Sequence, residues 1–196
     1  MGKIVIMSNA SLDGVVQDPD GQEGFARGGW FGQYGGPDLD AWAELETEEA
    51  LGAAALLLGR RSDAWFGPRW NDRTGVWADT LNALPKYVVS STVTEASWRN
   101  GTVLRGDPVD EVAAVKERTD GAILVYASYR LVRTLLDHGL ADELRLVVFP
   151  VVLGEGRRLF DDGGRTTALR RLDARPLGDG LVVVTYGVVR PAASAR

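Results

Sequence analysis

Short, continuous apolar runs alternate along this chain with segments whose apolar positions recur at helical spacing. Lys3 to Asn9 is the first run and predicts a buried strand. Ser11-Leu12-Asp13-Gly14 turns the chain out of it. Residues 17–36 are rich in Gly and Asp, with Phe25, Trp30, Phe31 and Tyr34 interleaved. Long loops in compact domains are usually functional or disordered, and the aromatics favour a lid. Leu39 to Leu51 predicts a helix, with imperfect spacing of Leu39, Trp42, Ala43, Leu45 and Ala50. Ala54 to Leu58 is a strand, and Ser62 to Phe66 begins a helix or helical turn. Gly67 to Trp77 is expected to be a loop carrying Trp70 and Trp77, and Asp79 to Leu84 a short helix stopped by Pro85. Lys86 to Ser90 is the next strand, followed by the polar pair Ser91-Thr92.

In the second half, Asp107-Pro108 is a strong helix start, an N-cap acid followed by proline at the first helical position. Ala122 to Tyr126 has the composition of a strand buried on both faces. Ser128 can cap the helix after it, whose apolar face is Leu131, Val132, Leu135 and Leu136, and Gly139 closes that helix. Leu144 to Phe149 is a strand stopped by Pro150. Strands at about Leu169 to Ala174 and Leu181 to Val189 flank Gly178-Asp179-Gly180, as in an antiparallel hairpin. The pattern predicts one α/β domain over residues 1–190, with a mostly parallel sheet and an antiparallel edge. Residues 191–196 are expected to form a disordered tail.

Composition narrows the function classes. A chain of 196 residues can bury a sizeable core, about 70% of its unfolded surface. With no cysteine, disulfides, thiolate metal sites and a cysteine nucleophile are excluded. The net charge of −5 argues against a nucleic-acid partner. No apolar run reaches membrane-spanning length, and the first residues lack a signal-peptide pattern, so a cytoplasmic location is expected. The single histidine, His138, falls at an apparent helix end, where a capping role is favoured over catalysis.

Candidate chemistry lies where predicted strands end. Gly59-Arg60-Arg61-Ser62 joins a strand to a helix start, whose free N–H groups and paired guanidinium forks suit phosphate. Ser90-Ser91-Thr92 and Ala127-Ser128-Tyr129-Arg130 follow two other strands. Ligands of open α/β sheets gather at such carboxyl ends. Together the turns could hold one long anion shaped like a phosphorylated dinucleotide. No G-x-G-x-x-G follows the first strand. Gly154-x-Gly156 is either a phosphate turn or a plain one. Asp13 is a candidate to orient or protonate substrate, or a turn aspartate bonding its own backbone. Trp30, Trp65, Phe66 and Trp70 could form a stacking surface for a flat heterocycle, or could be core and lid packing.

Several words in the chain carry a family resemblance: Ser11-Leu12-Asp13-Gly14, Leu57-Leu58-Gly59-Arg60-Arg61-Ser62, Leu84-Pro85-Lys86-Tyr87-Val88-Val89-Ser90, Gly139-Leu140-Ala141-Asp142-Glu143-Leu144 and Phe149-Pro150-Val151-Val152-Leu153-Gly154. Over roughly residues 3 to 190 the chain resembles the dihydrofolate reductase-like proteins. The nearest likeness is to the C-terminal reductase domain of the riboflavin-biosynthesis deaminase–reductase, in its stand-alone bacterial versions. The resemblance implies a three-layer dihydrofolate reductase-like fold, NADPH as cofactor and a homodimer. It implies that Gly59, Arg60, Arg61 and Ser62 form the phosphate-binding turn. Ser90, Ser91 and Thr92 would lie near the adenosine 2′-phosphate, and Ala127, Ser128, Tyr129, Arg130 and Leu131 would face the pyrophosphate and nicotinamide side. Relatives often carry threonine where Ser62 stands, and usually glycine where Ala127 stands.

The implied activity is hydride transfer from NADPH to a small pyrimidine- or pterin-like compound, of the 5-amino-6-(5-phosphoribosylamino)uracil reductase type. Arg157 and Arg158 are candidates for a substrate ribose phosphate. Such chemistry asks the protein mainly for orientation and water exclusion. The alternative is a non-catalytic nucleotide-binding or interaction protein that retains the fold.

Overall fold

The structure, a computed structural model, describes residues 1–160 and 164–190; the expected tail at 191–196 lies outside the described residues. One eight-stranded sheet runs through the molecule in the order β4-β3-β2-β5-β1-β6-β8-β7. Its strands are β1 (Lys3–Ser11), β2 (Ala53–Gly59), β3 (Lys86–Val89), β4 (Gly101–Leu104), β5 (Ala122–Tyr126), β6 (Glu143–Phe149), β7 (Leu169–Leu177) and β8 (Leu181–Val188). The strands from β4 to β6 are mutually parallel, and β8 and β7 add in antiparallel fashion. The expected mostly parallel sheet with a C-terminal hairpin is therefore present.

Helices cover both faces because the central strands have no polar face to show to water. Leu56, Leu57 and Leu58 of β2 are all fully buried. On one face lie α2 (Leu39–Leu51), α3 (Arg60–Trp70) and α4 (Val76–Ala83). Their core joins Val5, Leu56, Leu58 and Leu124 to Ala50, Trp70, Leu81 and Trp98. On the other face lie α5 (Pro108–Arg118) and α6 (Tyr129–Asp137), where Val112, Val115, Val132 and Leu135 pack on Ile4, Ile6 and Ile123. The α5 start follows its sequence signal: Asp107 Oδ1 accepts the Val109 and Asp110 N–H groups at 2.9 and 3.2 Å. Gly139, at φ +64, closes α6 with Leu140 N–H returning to the Leu135 carbonyl at 2.8 Å. His138 stands at the C-cap of that helix.

Three elements depart from expectation. The aromatic segment holds a short helix, α1 (Trp30–Gly35), and then a 3-10 turn at Gly36–Asp38. Helix α3 does not stop at Gly67 but continues through Pro68 to Trp70, while Arg69 Nη1 donates to the Trp65 carbonyl at 3.0 Å. Strand β4 was not anticipated at all; it pairs with β3 from Lys86↔Gly101 to Val89↔Leu104.

The position of α3 is fixed by the segment before β4. Asp63 accepts the N–H groups of Ser97 and Trp98 at 2.7 and 3.0 Å. A Cβ on Gly67 would fall 2.5 Å from the Ser97 carbonyl carbon, so glycine is required for this approach. Wholly buried Lys86 closes α4 by donating Nζ to the Leu84 and Asn82 carbonyls at 2.8 and 3.3 Å.

Gly67→Ala should therefore destabilise the protein by about 1–3 kcal/mol in urea unfolding, the usual cost of overpacking. Gly32→Ala, where a Cβ meets nothing within 4 Å, serves as the control and should not.

Candidate active site

Parallel strands point the same way, so the turns that follow β3, β2, β5 and β1 lie side by side along one edge of the sheet. The turn after β2 is Gly59 to Ser62. Gly59 is the N-cap of α3 in extended geometry (φ −82°, ψ 158°), and no side chain caps the helix. The first N–H groups of α3 thus lack intrahelical acceptors. Arg60 and Arg61 are exposed beside them. A Cβ on Gly59 would meet Ser128 Oγ at 3.7 Å, an ordinary contact. Packing within the protein therefore does not demand this glycine, whereas a ligand lying on the helix start would.

The turn after β5 is bound to this one by hydroxyl groups. Gly59 N–H donates to Ser128 Oγ at 2.9 Å, Ser128 Oγ–H donates to Ser62 Oγ at 2.9 Å, and Ser128 N–H donates to Ser62 Oγ at 3.0 Å. Ser128 occupies the N-cap position of α6, as predicted, but its hydroxyl does not cap the helix. It is spent on the neighbouring turn. Ala127 and Ser128 are both left-handed, at φ 49° and 57°. This is the conformation glycine adopts without cost, and it explains why a glycine at position 127 suits this turn. After β3, the Ser90 hydroxyl accepts Thr92 and Val93 N–H groups at 3.2 and 3.3 Å, leaving Ser91 and Thr92 exposed. Of the residues expected around a dinucleotide, Leu131 is a correction: its side chain is buried in the core under α6.

Asp13 follows β1 and braces two loops. Its carboxylate accepts Ser11 Oγ–H at 2.7 Å, Leu153 N–H at 3.0 Å and Gly154 N–H at 2.9 Å, and Arg158 Nη2 lies 3.4 Å away. Burial opposes the charge, but the hydrogen bonds from Leu153, Ser11 and Gly154 outweigh it and hold the carboxyl well below its ordinary range. A carboxyl so held suits orienting a substrate group more than protonating one. The same contacts make Gly154 part of a brace. Arg157 lies over the Tyr129 ring at 4.3 Å. Beside it is a cavity of about 300 Å³ lined by Tyr129, Arg130, Arg133, Arg157, Arg158 and Leu159.

Of the four aromatics expected to form a stacking surface, Trp65, Phe66 and Trp70 meet along α3, with ring centroids 4.8 and 6.5 Å apart, while Trp30 lies elsewhere. Trp30 is fully buried, donates Nε1–H to the Gln17 carbonyl at 2.9 Å and packs edge-on against Phe149 at 5.2 Å. Phe66 stacks on Trp98 at 5.4 Å, Trp70 is buried beside them, and half-buried Trp65 carries the Arg69 guanidinium at 4.5 Å. Between α2 and α4 the aromatics in contact are Trp42 and Trp77, with ring centroids 5.5 Å apart. Trp42 Nε1 donates to Asn9 Oδ1 of β1 at 2.9 Å. Near them are Glu46, only 5% exposed, and Tyr126, the last residue of β5. The indole N–H groups of Trp70 and Trp77 and the Tyr126 hydroxyl are buried without a partner in good hydrogen-bonding geometry. Asn9 inside an apolar strand and Glu46 on the apolar side of a helix were the available signals for this buried polar cluster.

The chain matches the model of the RibD C-terminal domain across residues 2–183. The chain belongs to this family. It is 33% identical over 194 residues to the uncharacterized protein YyaP of Bacillus subtilis (strain 168), covering 94% of each chain. Among solved structures it is similar to a protein assigned to riboflavin biosynthesis from Shewanella sp. PV-4, with TM-score 0.73, 21% identity, and coverage of 96% of this chain and 99% of that one. It is also similar to dihydrofolate reductase from Enterococcus faecalis, with TM-score 0.56, 15% identity, and coverage of 95% and 96%. The fold is thus dihydrofolate reductase-like, and membership of the RibD C-terminal family points to a reductase. Among the described residues no helix is long and apolar enough to cross a membrane.

Ala127→Gly should relieve the left-handed strain in the RibD-type turn and stabilise the protein by about 0.5–1 kcal/mol. Urea unfolding of the variant beside the wild type measures this.

Proposed function

We propose that the protein is an NADPH-dependent reductase that delivers hydride to a small pyrimidine- or pterin-like heterocycle. The observation that carries this reading is the pair of hydroxyl-linked turns at Gly59–Ser62 and Ala127–Ser128, which presents uncapped helix starts side by side at one sheet edge. Family membership supports it, since a RibD-type reductase needs a dinucleotide. The fit to the cofactor is favourable. The N–H groups at the start of α3 would take one phosphate, and Arg60, Arg61, Ser91 and Thr92 would take the 2′-phosphate. Ala127 to Arg130 would face the pyrophosphate and nicotinamide.

Bound there, NADPH supplies the hydride, and the chain's own residues do the rest. The Asp13 brace holds the 11–14 turn against the 153–158 loop, which fixes the mouth of the site. Asn9 and Trp42 are fixed on one another at the carboxyl end of β1. The Arg157 and Arg158 cavity suits the ribose phosphate of a substrate of the 5-amino-6-(5-phosphoribosylamino)uracil type. Strand β7 is exposed over most of its length, with Leu169 and Leu172 uncovered, which suits a homodimer.

NADPH should quench the tryptophan fluorescence of the protein in titration. Arg60→Ala should raise the Kd for NADPH about tenfold or more while leaving NADH little changed, a loss typical of one charge-assisted phosphate contact. Absence of quenching at millimolar NADPH would refute the reading. Binding without oxidation of NADPH by pterins or aminouracils would favour a non-catalytic nucleotide-binding protein, the reading that the methyl of Ala127 supports.

A further inference from the structure

One buried acid receives neither a cation nor a hydrogen bond from any other described residue. Glu46 lies in the middle of α2 and is only 5% exposed. Tyr126 stands near it, but the Tyr126 hydroxyl has no hydrogen-bond partner. Glu46 lines a cavity of about 190 Å³ between α2 and the strands β1, β6, β8 and β7. An apolar side chain here would complete the core without the cost of desolvating a carboxyl.

The strand register builds the floor of this cavity. Met7, Arg145, Thr185 and Asp173 form one row across the four strands, and Val147, Val183 and Arg175 form the next. Residues paired in this way share a face of the sheet, and both rows border the cavity. Met7, Val147 and Val183 are buried, so the floor is apolar. The cations around it already have partners. Arg145 is held by Glu49 of α2 and Glu143 of β6, and Glu143 also takes Lys3 of β1. Arg175 lies 3.6 Å from Asp173 at the exposed rim. Glu46 is the acid left over, and the Thr185 hydroxyl is a second polar group without a hydrogen bond among the described residues. Among those residues no three His, Cys, Asp or Glu side chains are grouped to hold a metal ion. The volume is that of about six waters, which admits a short organic cation and not a nucleotide.

We propose that this cavity is a binding site for a small alkylammonium ion, with its N–H groups on the Glu46 carboxylate and the Thr185 hydroxyl and its hydrocarbon body on Met7, Val147 and Val183. An alkylammonium joins a compact charge to an apolar stem, as the cavity joins one unpaired acid to an apolar floor. None of these residues belongs to the turns at Gly59–Ser62 and Ala127–Arg130, and the inference does not rest on the reductase reading. The cation trades places with a proton. Burial pushes Glu46 up to about 8, opposed by the nearby Tyr126 hydroxyl and helped by the charge of Glu49. The other charged groups facing the cavity are the paired Arg145, Glu143, Asp173 and Arg175, while α4 brings only the uncharged Trp77 against Trp42. Free Glu46 is therefore protonated at pH 7, and binding sends that proton to solvent as the carboxylate takes the ammonium.

Isothermal titration calorimetry of the full chain with butylammonium chloride, and with n-butanol as its neutral match, tests the site. Butylammonium should bind once per chain and about tenfold or more tighter than n-butanol, as a charge-assisted contact requires. Its Kd should rise about tenfold from pH 9 to pH 7, because the ionised fraction of Glu46 falls by that factor across a midpoint near 8. Glu46→Gln should raise the Kd at pH 9 about tenfold or more and remove the pH dependence. A wild-type measurement stands beside the variant. The infrared band of the protonated Glu46 carboxyl at pH 7 should vanish on saturation with butylammonium and persist with n-butanol. Equal affinity for the two probes, a pH-independent Kd for butylammonium, or no saturable heat at tens of millimolar would overturn the site.

Discussion

The hydrogen bonds of Ser128 hold the candidate site together. One hydroxyl accepts from Gly59 and donates to Ser62, so the ends of β2 and β5 cannot move apart without leaving polar groups unsatisfied. Each such group would cost about 1–3 kcal/mol when buried. That linkage needs Ser128 in a left-handed conformation, which in turn forces Ala127 into one. The strain is local, and the two strands behind it are among the most buried in the protein. A rigid double-sided core is what allows a strained turn to persist.

The sheet also explains how the aromatic residues divide. Trp30 and Phe31 pack on Phe149 at the end of β6, while Phe66, Trp70 and Trp98 pack over β2. Trp42 and Trp77 bridge the two groups. The aromatic content that suggests a ligand surface in the sequence therefore serves mostly as packing between the helices and the sheet. Edge-to-face pairs of this kind add about 0.5–1.5 kcal/mol each beyond burial, enough to keep the covering helix α1 in place with few other contacts.

Much of the fold was legible because central parallel strands must be apolar throughout. Leu56-Leu57-Leu58 and Ile123-Leu124-Val125 announce themselves, as does the Asp107-Pro108 start of α5. Strand β4 escaped because Gly101-Thr102-Val103-Leu104 is short and lies at an edge, where one side needs no apolar residues. Helix α3 escaped its full length because Pro68 normally marks a stop. The turns Gly59–Ser62 and Ala127–Arg130 stood out through glycine, serine and arginine, residue types that ask to be explained after a strand. Glu46 did not, since an acid in a helix is unremarkable until the cavity it lines is known.

The Asp13 brace joins residues 140 apart in sequence, as does the Lys3–Glu143 pair, and Asp38 holds the Asp179 N–H across 141. Strand β1 must therefore wait about 140 residues of chain for its partners in β6 and the loop after it. Until β6 and the loop after it emerge, β1 can pair only with β5, and its other edge stays open to wrong partners. Contacts of such long span slow folding and prolong that exposure. The mouth of the site consequently closes only after the β1–β5 core can have formed, and a chain truncated before residue 153 would carry much of its core yet no closed site.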